Sequence, residues 1–136
     1  MALTQRREEG QFLQEEEREL ARLEHRVEHR LDIMRKMLDY GMKDRLVPGT
    51  DSGVSNLAFG HLDYDLQLLE KIGFSPAEAL TSATRISAEA TGMENMIGTI
   101  EIGKKADLVA FGGDPSKDVG ALSRIAAVFL GGQRIA

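Results

Sequence analysis

The sequence predicts an α/β chain with its helices first and its short strands last. Three observations carry this reading. Apolar residues recur every three or four positions from Leu20 to Leu38. A later helix start, Ser75-Pro76-Ala77-Glu78, is written out in full. From Gly98 onward the pattern shortens to brief apolar runs cut by glycines. The chain has 136 residues and 42% apolar content, which suits one ordinary domain with a core.

The first helix rests on Leu20, Leu23, Val27, Leu31, Met34 and Leu38, which draw one apolar stripe. Glu24, Glu28, Arg22, Arg26 and Arg30 occupy the other faces and can pair along the surface. Gly41 is a natural stop, because glycine accepts the left-handed conformation that ends a helix. Residues 1–13 lie before the strong periodicity and are expected to fray. Leu46 and Val47 are expected to form a short buried strand, which Pro48 ends because it lacks a backbone donor. Gly53 and Asn56 then suggest a loop.

A second helix carries Leu62, Leu66 and Leu69 on one face and ends at Gly73. In the third, Ser75 caps, Pro76 takes the first helical position and Glu78 completes a capping box. Ala79, Leu80, Ala83, Ile86 and Ala90 continue it to Gly92, and the small alanines suggest close packing. Thr99 to Ile102 is a strand signal, and Gly103-Lys104 a turn. Ala106 to Phe111 is another strand, broken by Gly112-Gly113-Asp114-Pro115. Ile125–Leu130, Gly131-Gly132 and Gln133–Ile135 spell a hairpin with a two-residue turn.

Composition narrows the function classes. The formal net charge of -5, with no basic stripe, argues against nucleic acid as a partner. There are no cysteines, so disulfides, thiolate metal sites and cysteine nucleophiles are excluded. This fits a reducing compartment, and a cytoplasmic location is the expectation. The first residues carry charges with no apolar stretch behind them, and no run is long enough to span a bilayer. Neither a leader nor a membrane association is expected.

Four phrases, in order, resemble the end of the amidohydrolase superfamily, close to its imidazolonepropionase-like and prolidase-like members. They are Gly49-Thr50-Asp51 after a short apolar run, and Gly73-Phe74-Ser75-Pro76-Ala77-Glu78-Ala79-Leu80 followed by Ala83-Thr84. Then come Ile97 through Val109, and Gly113-Asp114-Pro115 with Val128-Phe129-Leu130-Gly131-Gly132 near the end. The resemblance implies a C-terminal part of a (β/α)8 TIM barrel with the returning strands of a small β-sandwich. It divides the chain into residues 14–92, the terminal barrel segment, and residues 93–136, the returning strands. Leu46 to Val47 would then be the eighth barrel strand.

The same resemblance gives Asp51 two roles, ligand to a divalent metal and proton shuttle. A carboxylate at the mouth of a barrel can do both: bind a hard or borderline ion and accept a proton when metal-bound water attacks a carbonyl. The implied reaction is hydrolysis of a carbon–nitrogen bond in a small amide, with zinc the expected metal. Taken alone, Thr-Asp-Ser is also a common turn or helix cap. The family's other metal ligands are a His-x-His pair, further strand histidines and a bridging lysine. They have no counterpart here, where the only histidines are His25, His29 and His61. A whole barrel needs about 250 residues and a catalytic zinc about three protein ligands. The isolated chain is therefore expected to hold no cofactor and to be inactive.

His61 follows the Gly-Thr-Asp loop and is the candidate substrate contact. The bland alternative is a histidine that packs or caps locally. His25 and His29 have chelating spacing, but Glu24, Arg26, Glu28 and Arg30 around them mark an ordinary solvated face. Lys104 and Lys105 look like turn and surface residues, and Asp107 like a structural hydrogen-bonding group. Two readings result. In one, the chain is a fragment of a carbon–nitrogen hydrolase, whose partner is the missing N-terminal barrel half. In the other, it is a non-catalytic interaction module that uses its long helix and exposed edges. Both predict self-association when the partner is absent.

Overall fold

Helix α1 spans Gln14–Asp39, in a computed structural model that describes residues 14–53 and 59–136. The segment 1–13, expected to fray, and Asn56 of the expected loop fall outside the described residues. The stripe on α1 buries Leu20 near its start and joins the central core through its C-terminal half. Leu31 is buried there, and Met34 and Leu38 pack beside it. Val27, on the same stripe, is instead 48% exposed. Arg35 holds the outer side of this half. It donates to Glu28 at 2.9 Å and Asp32 at 2.5 Å, and to the Lys71 carbonyl at 3.3 Å.

Helix α2, Leu62–Ile72, lies against α1 and buries Leu66, Leu69 and Ile72. Leu62, expected on that face, is 39% exposed, because only the later turns of α2 reach the core. Phe74 and Ala79 close the cluster from the following corner, and Val119 reaches it from the far end of the chain. Full burial of a leucine such as Leu66 contributes about 1.5–3 kcal/mol.

The third helix starts as its sequence spells it. Helix α3, Pro76–Thr81, has Ser75 as N-cap and a complete capping box with Glu78. The helix then widens into a π turn over Ser82–Ile86 and finishes as α4, Ser87–Ala90. Periodicity alone does not announce that widening. The three helical stretches end alike. Met42 N–H donates to Met37, Phe74 N–H to Leu69 and Met93 N–H to Ala88, each across a glycine with positive φ. This is the Schellman closure, and Gly41, Gly73 and Gly92 stop the helices as expected.

Two expected strands are absent among the described residues. Leu46 is extended, with ψ 121, and half-buried against the core, while Val47 is 43% exposed. No described strand lies beside them, and a strand needs a ladder partner for its backbone groups. Thr99–Ile102 is likewise irregular. Ile100 and Ile102 are wholly solvent-facing, and the segment turns back so that Lys105 N–H donates to the Met96 carbonyl at 2.9 Å.

The sheet is antiparallel, β1 Leu108–Phe111, β2 Ile125–Leu130 and β3 Gln133–Arg134, in that spatial order. Val109 pairs with Val128 and Leu108 with Phe129, and the register slips by a bulge between Ala110 and Phe111. The strand expected from Ala106 begins two residues later, because Ala106 and Asp107 serve the hairpin turn instead. Gly132 N–H donates to the Ala106 carbonyl at 2.9 Å and Gly131 N–H to Asp107 Oδ1 at 2.7 Å. Asp107 is thus the structural group it was expected to be. Both turn glycines have positive φ, 56 and 82, the geometry a two-residue hairpin loop demands. Ile135, expected in the last strand, lies just past β3 but still donates to Val128 at 2.8 Å. A 3-10 turn, Val119–Ser123, joins the layers: Val119 sits in the helical core, while the turn also contacts β1.

Candidate functional site

The segment that carries the candidate carboxylate leaves the core at Leu46 and passes Pro48 and Gly49. Asp51 has φ 49, the one non-glycine residue with positive φ among those described. Aspartate tolerates that left-handed conformation better than most residues, because its short side chain can bond locally. Asp51 is exposed. On either side of it, the hydroxyls of Thr50 and Ser52 share a hydrogen bond at 2.6 Å. The turn is followed by Gly53, over which the Phe59 ring lies 3.2 Å from where a Cβ would be.

His61 takes the N-cap position of α2 without capping through its side chain. Its ring stacks on Tyr64 at 5.2 Å, and Nδ1 lies 4.0 Å from Asp63 Oδ1. The imidazole is half exposed and so has a local partner and an open side. Asp65, one turn into α2, is a group that sequence reasoning did not single out. Its Oδ2 is buried with no hydrogen-bond partner among the described residues. Burial, then the charge of Asp63, raises its carboxyl above the ordinary aspartate range. The period of α2 puts Asp65 beside Leu66 and Leu69, yet nothing in the sequence says how deep that edge lies.

The donor set can be tested against a metal. Among the described residues, no three His, Asp or Glu side chains converge as a metal site requires. His25 and His29 stand exposed on α1 with no third ligand. Asp51 offers one carboxylate, where a catalytic zinc takes about three protein ligands. The described residues therefore do not fit a resident metal by themselves.

A concavity of about 590 Å³ opens between the end of the third helix and the loop that follows it. Arg85, Glu89, Thr99, Glu101 and Lys104 line it. Four of its charged side chains pair with one another. Arg85 binds Glu89 at 2.6 Å, and Lys104 donates to Thr99 and lies 3.5 Å from Glu101. Thr99 and Lys104 in turn hold the Glu101 carboxyl below its usual range. The cleft is a braced junction more than a reaction chamber.

The amidohydrolase family model matches residues 4–135. The imidazolonepropionase of Geobacillus kaustophilus (strain HTA426) is 38% identical over 77 residues, which are 57% of this chain and 18% of that protein. A Xaa-Pro dipeptidase, solved with methionine bound in its active site, is 31% identical with a TM-score of 0.67. That match covers 76% of this chain and 25% of the dipeptidase. Phenylurea hydrolase B is 36% identical with a TM-score of 0.53, over 55% of this chain and 16% of its own. The chain spans less than a fifth of the curated relatives' length. Among the described residues, no helix is long and apolar enough to cross a membrane.

Proposed function

This chain belongs to the amidohydrolase family, and from that premise we propose that it supplies the closing segment of a metal-dependent carbon–nitrogen hydrolase. The observation that carries the proposal is Gly49-Thr50-Asp51, with its exposed aspartate, on a segment leaving the core in a chain whose matched relatives cleave such bonds. In this reading residues 14–92 complete a (β/α)8 barrel, and residues 93–136 return to its small sandwich. Leu46 and Val47 become the eighth strand once neighbouring strands supply their ladder. Asp51 would then stand at the barrel mouth, as one ligand of a metal held jointly with the rest of the barrel and as the acceptor of the proton from the attacking water. The metal's chemistry, when it is bound, is activation of that water. The other ligands come from the rest of the barrel, the partner this chain requires. His61, with one face free, contacts the small amide substrate.

The test is a chimera. This chain replaces the matching segment of the Geobacillus imidazolonepropionase, and the parent activity is assayed. The expected result is measurable turnover that Asp51→Asn lowers by about 10³-fold, the scale of a lost general base. A folded, metal-loaded chimera whose activity is indifferent to Asp51→Asn sinks the proposal.

A second reading is favoured by one observation. Ile100, Ile102, Val109 and Leu130 are all substantially exposed, which suits a non-catalytic module that binds a partner. The chimera separates the two: a binding module gives a folded hybrid with no turnover.

A further inference from the structure

We infer that Ser82 is a positioning residue, whose buried hydroxyl anchors the segment carrying Asp51; this rests on the reading of Asp51 given above. Ser82 is fully buried and is the sole polar residue in that class among the described ones. A buried hydroxyl needs a partner, and in mid-helix the near one is the carbonyl four residues back. The neighbouring threonines take that option. Thr81 donates to Ala77 at 2.8 Å, Thr84 to Leu80 at 2.8 Å and Thr91 to Ser87 at 2.9 Å. Ser82 instead donates out of its helix to the carbonyl of Leu46, 36 residues earlier.

The helix is built around that exception. Ser82 opens the π turn, and Ser87 closes it from the other end. The Ser87 backbone N–H and its hydroxyl, at 2.7 Å, both donate to the Ser82 carbonyl. A π turn departs from the regular hydrogen-bond ladder of a helix and is frequent at functional sites. Here the Ser82 hydroxyl meets the last core residue before Pro48-Gly49-Thr50-Asp51. Among the described residues that extended segment has no sheet ladder, so beside the packing of the Leu46 side chain the Ser82 bond is what ties its backbone to the helical layer. Pro48, with its fixed φ, passes the constraint on toward Asp51.

Amide hydrogen exchange on the full chain tests this without requiring activity, so its failure is distinct from failure of the chimera. In Ser82→Ala, the amides of Arg45 and Leu46, which donate to the Met42 and Lys43 carbonyls at the root of the segment, should exchange about tenfold faster, the scale of one buried hydrogen bond lost locally. Core amides of α2, Leu68 to Ile72, should stay within about twofold. Ser82→Cys keeps the volume with a weaker donor and should fall between. Equal acceleration in both regions, or none in either, overturns the inference. So does a chain that Ala unfolds throughout while Cys matches the wild type, since the site would then need volume and not the hydroxyl.

Discussion

Around Glu78, one carboxylate oxygen gathers three donors. Ser75 donates from its N–H at 2.8 Å and its hydroxyl at 2.9 Å, and Lys43 Nζ lies 2.7 Å away. Lys43 leads the shift, followed by the two Ser75 bonds, and together they hold the Glu78 carboxyl at about 2. The sign follows from linkage. A depressed carboxylate adds stability that is fully present above its unfolded value near 4.5 and is lost as pH falls through about 2. The side chain is 48% exposed, so solvent screens these interactions and their contribution to stability is modest. Glu78→Ala should cost about 0.5–1 kcal/mol at neutral pH, the scale of an acidic side chain in the first turn of a helix. Urea unfolding at pH 7 and pH 2 checks this, with the gap to wild type shrinking at the lower value. Asp65 runs the other way: its raised carboxyl weakens the fold as pH climbs from the unfolded value near 3.8 through the folded one.

Among the elements, the junction between the third helix and the loop after it has the least tolerance. Gly98 has φ 95, and a Cβ there would fall 2.6 Å from Ala88 Cβ and 3.2 Å from both Arg85 Cα and the Thr84 carbonyl. Both the conformation and the space demand glycine. Gly98→Ala should cost about 3 kcal/mol, combining backbone strain with overpacking. A thermal melt reads the loss, and an unchanged midpoint would mean that the loop is free to lift from the helix. The same closeness explains Ala88, whose small side chain lets Gly98 approach. By contrast, the hairpin at Gly131-Gly132 is held by Asp107 and Ala106 from outside the turn, so its geometry is set twice.

For the whole molecule, the apolar surface is the dominant fact. Ile100 is 87% exposed and Ile102 108%, and Val109, Ile125, Leu130 and Ile135 add to the same end of the chain. Edges and faces of this kind pair with whatever is available. The isolated chain should therefore show concentration-dependent association in sedimentation or light scattering. Replacing Ile100, Ile102 and Leu130 together with threonine should shift it toward monomer. A monomer of the unmodified chain at all concentrations, with one cooperative melt, would contradict this and remove the need for a barrel partner.

The local grammar was legible in the residues. The spacing of Leu31, Leu66 and Leu69 marks the core faces, Ser75 to Glu78 writes a helix start, and Gly41, Gly73 and Gly92 write three helix ends. Gly131-Gly132 writes the hairpin. These are short-range choices, set by backbone sterics and by bonds between near neighbours. Asp51 was legible only as part of a longer phrase, because a lone turn aspartate has many uses. What tertiary structure alone decided is non-local. Strands at Leu46–Val47 and Thr99–Ile102 have the right residues, but a strand exists only where another backbone lies alongside, and the described residues provide none. The exposure of Val27 and Leu62 depends on how far neighbouring helices reach. The Ser82 bond to Leu46 and the π turn that directs it join positions far apart in sequence, where no periodicity can register the match.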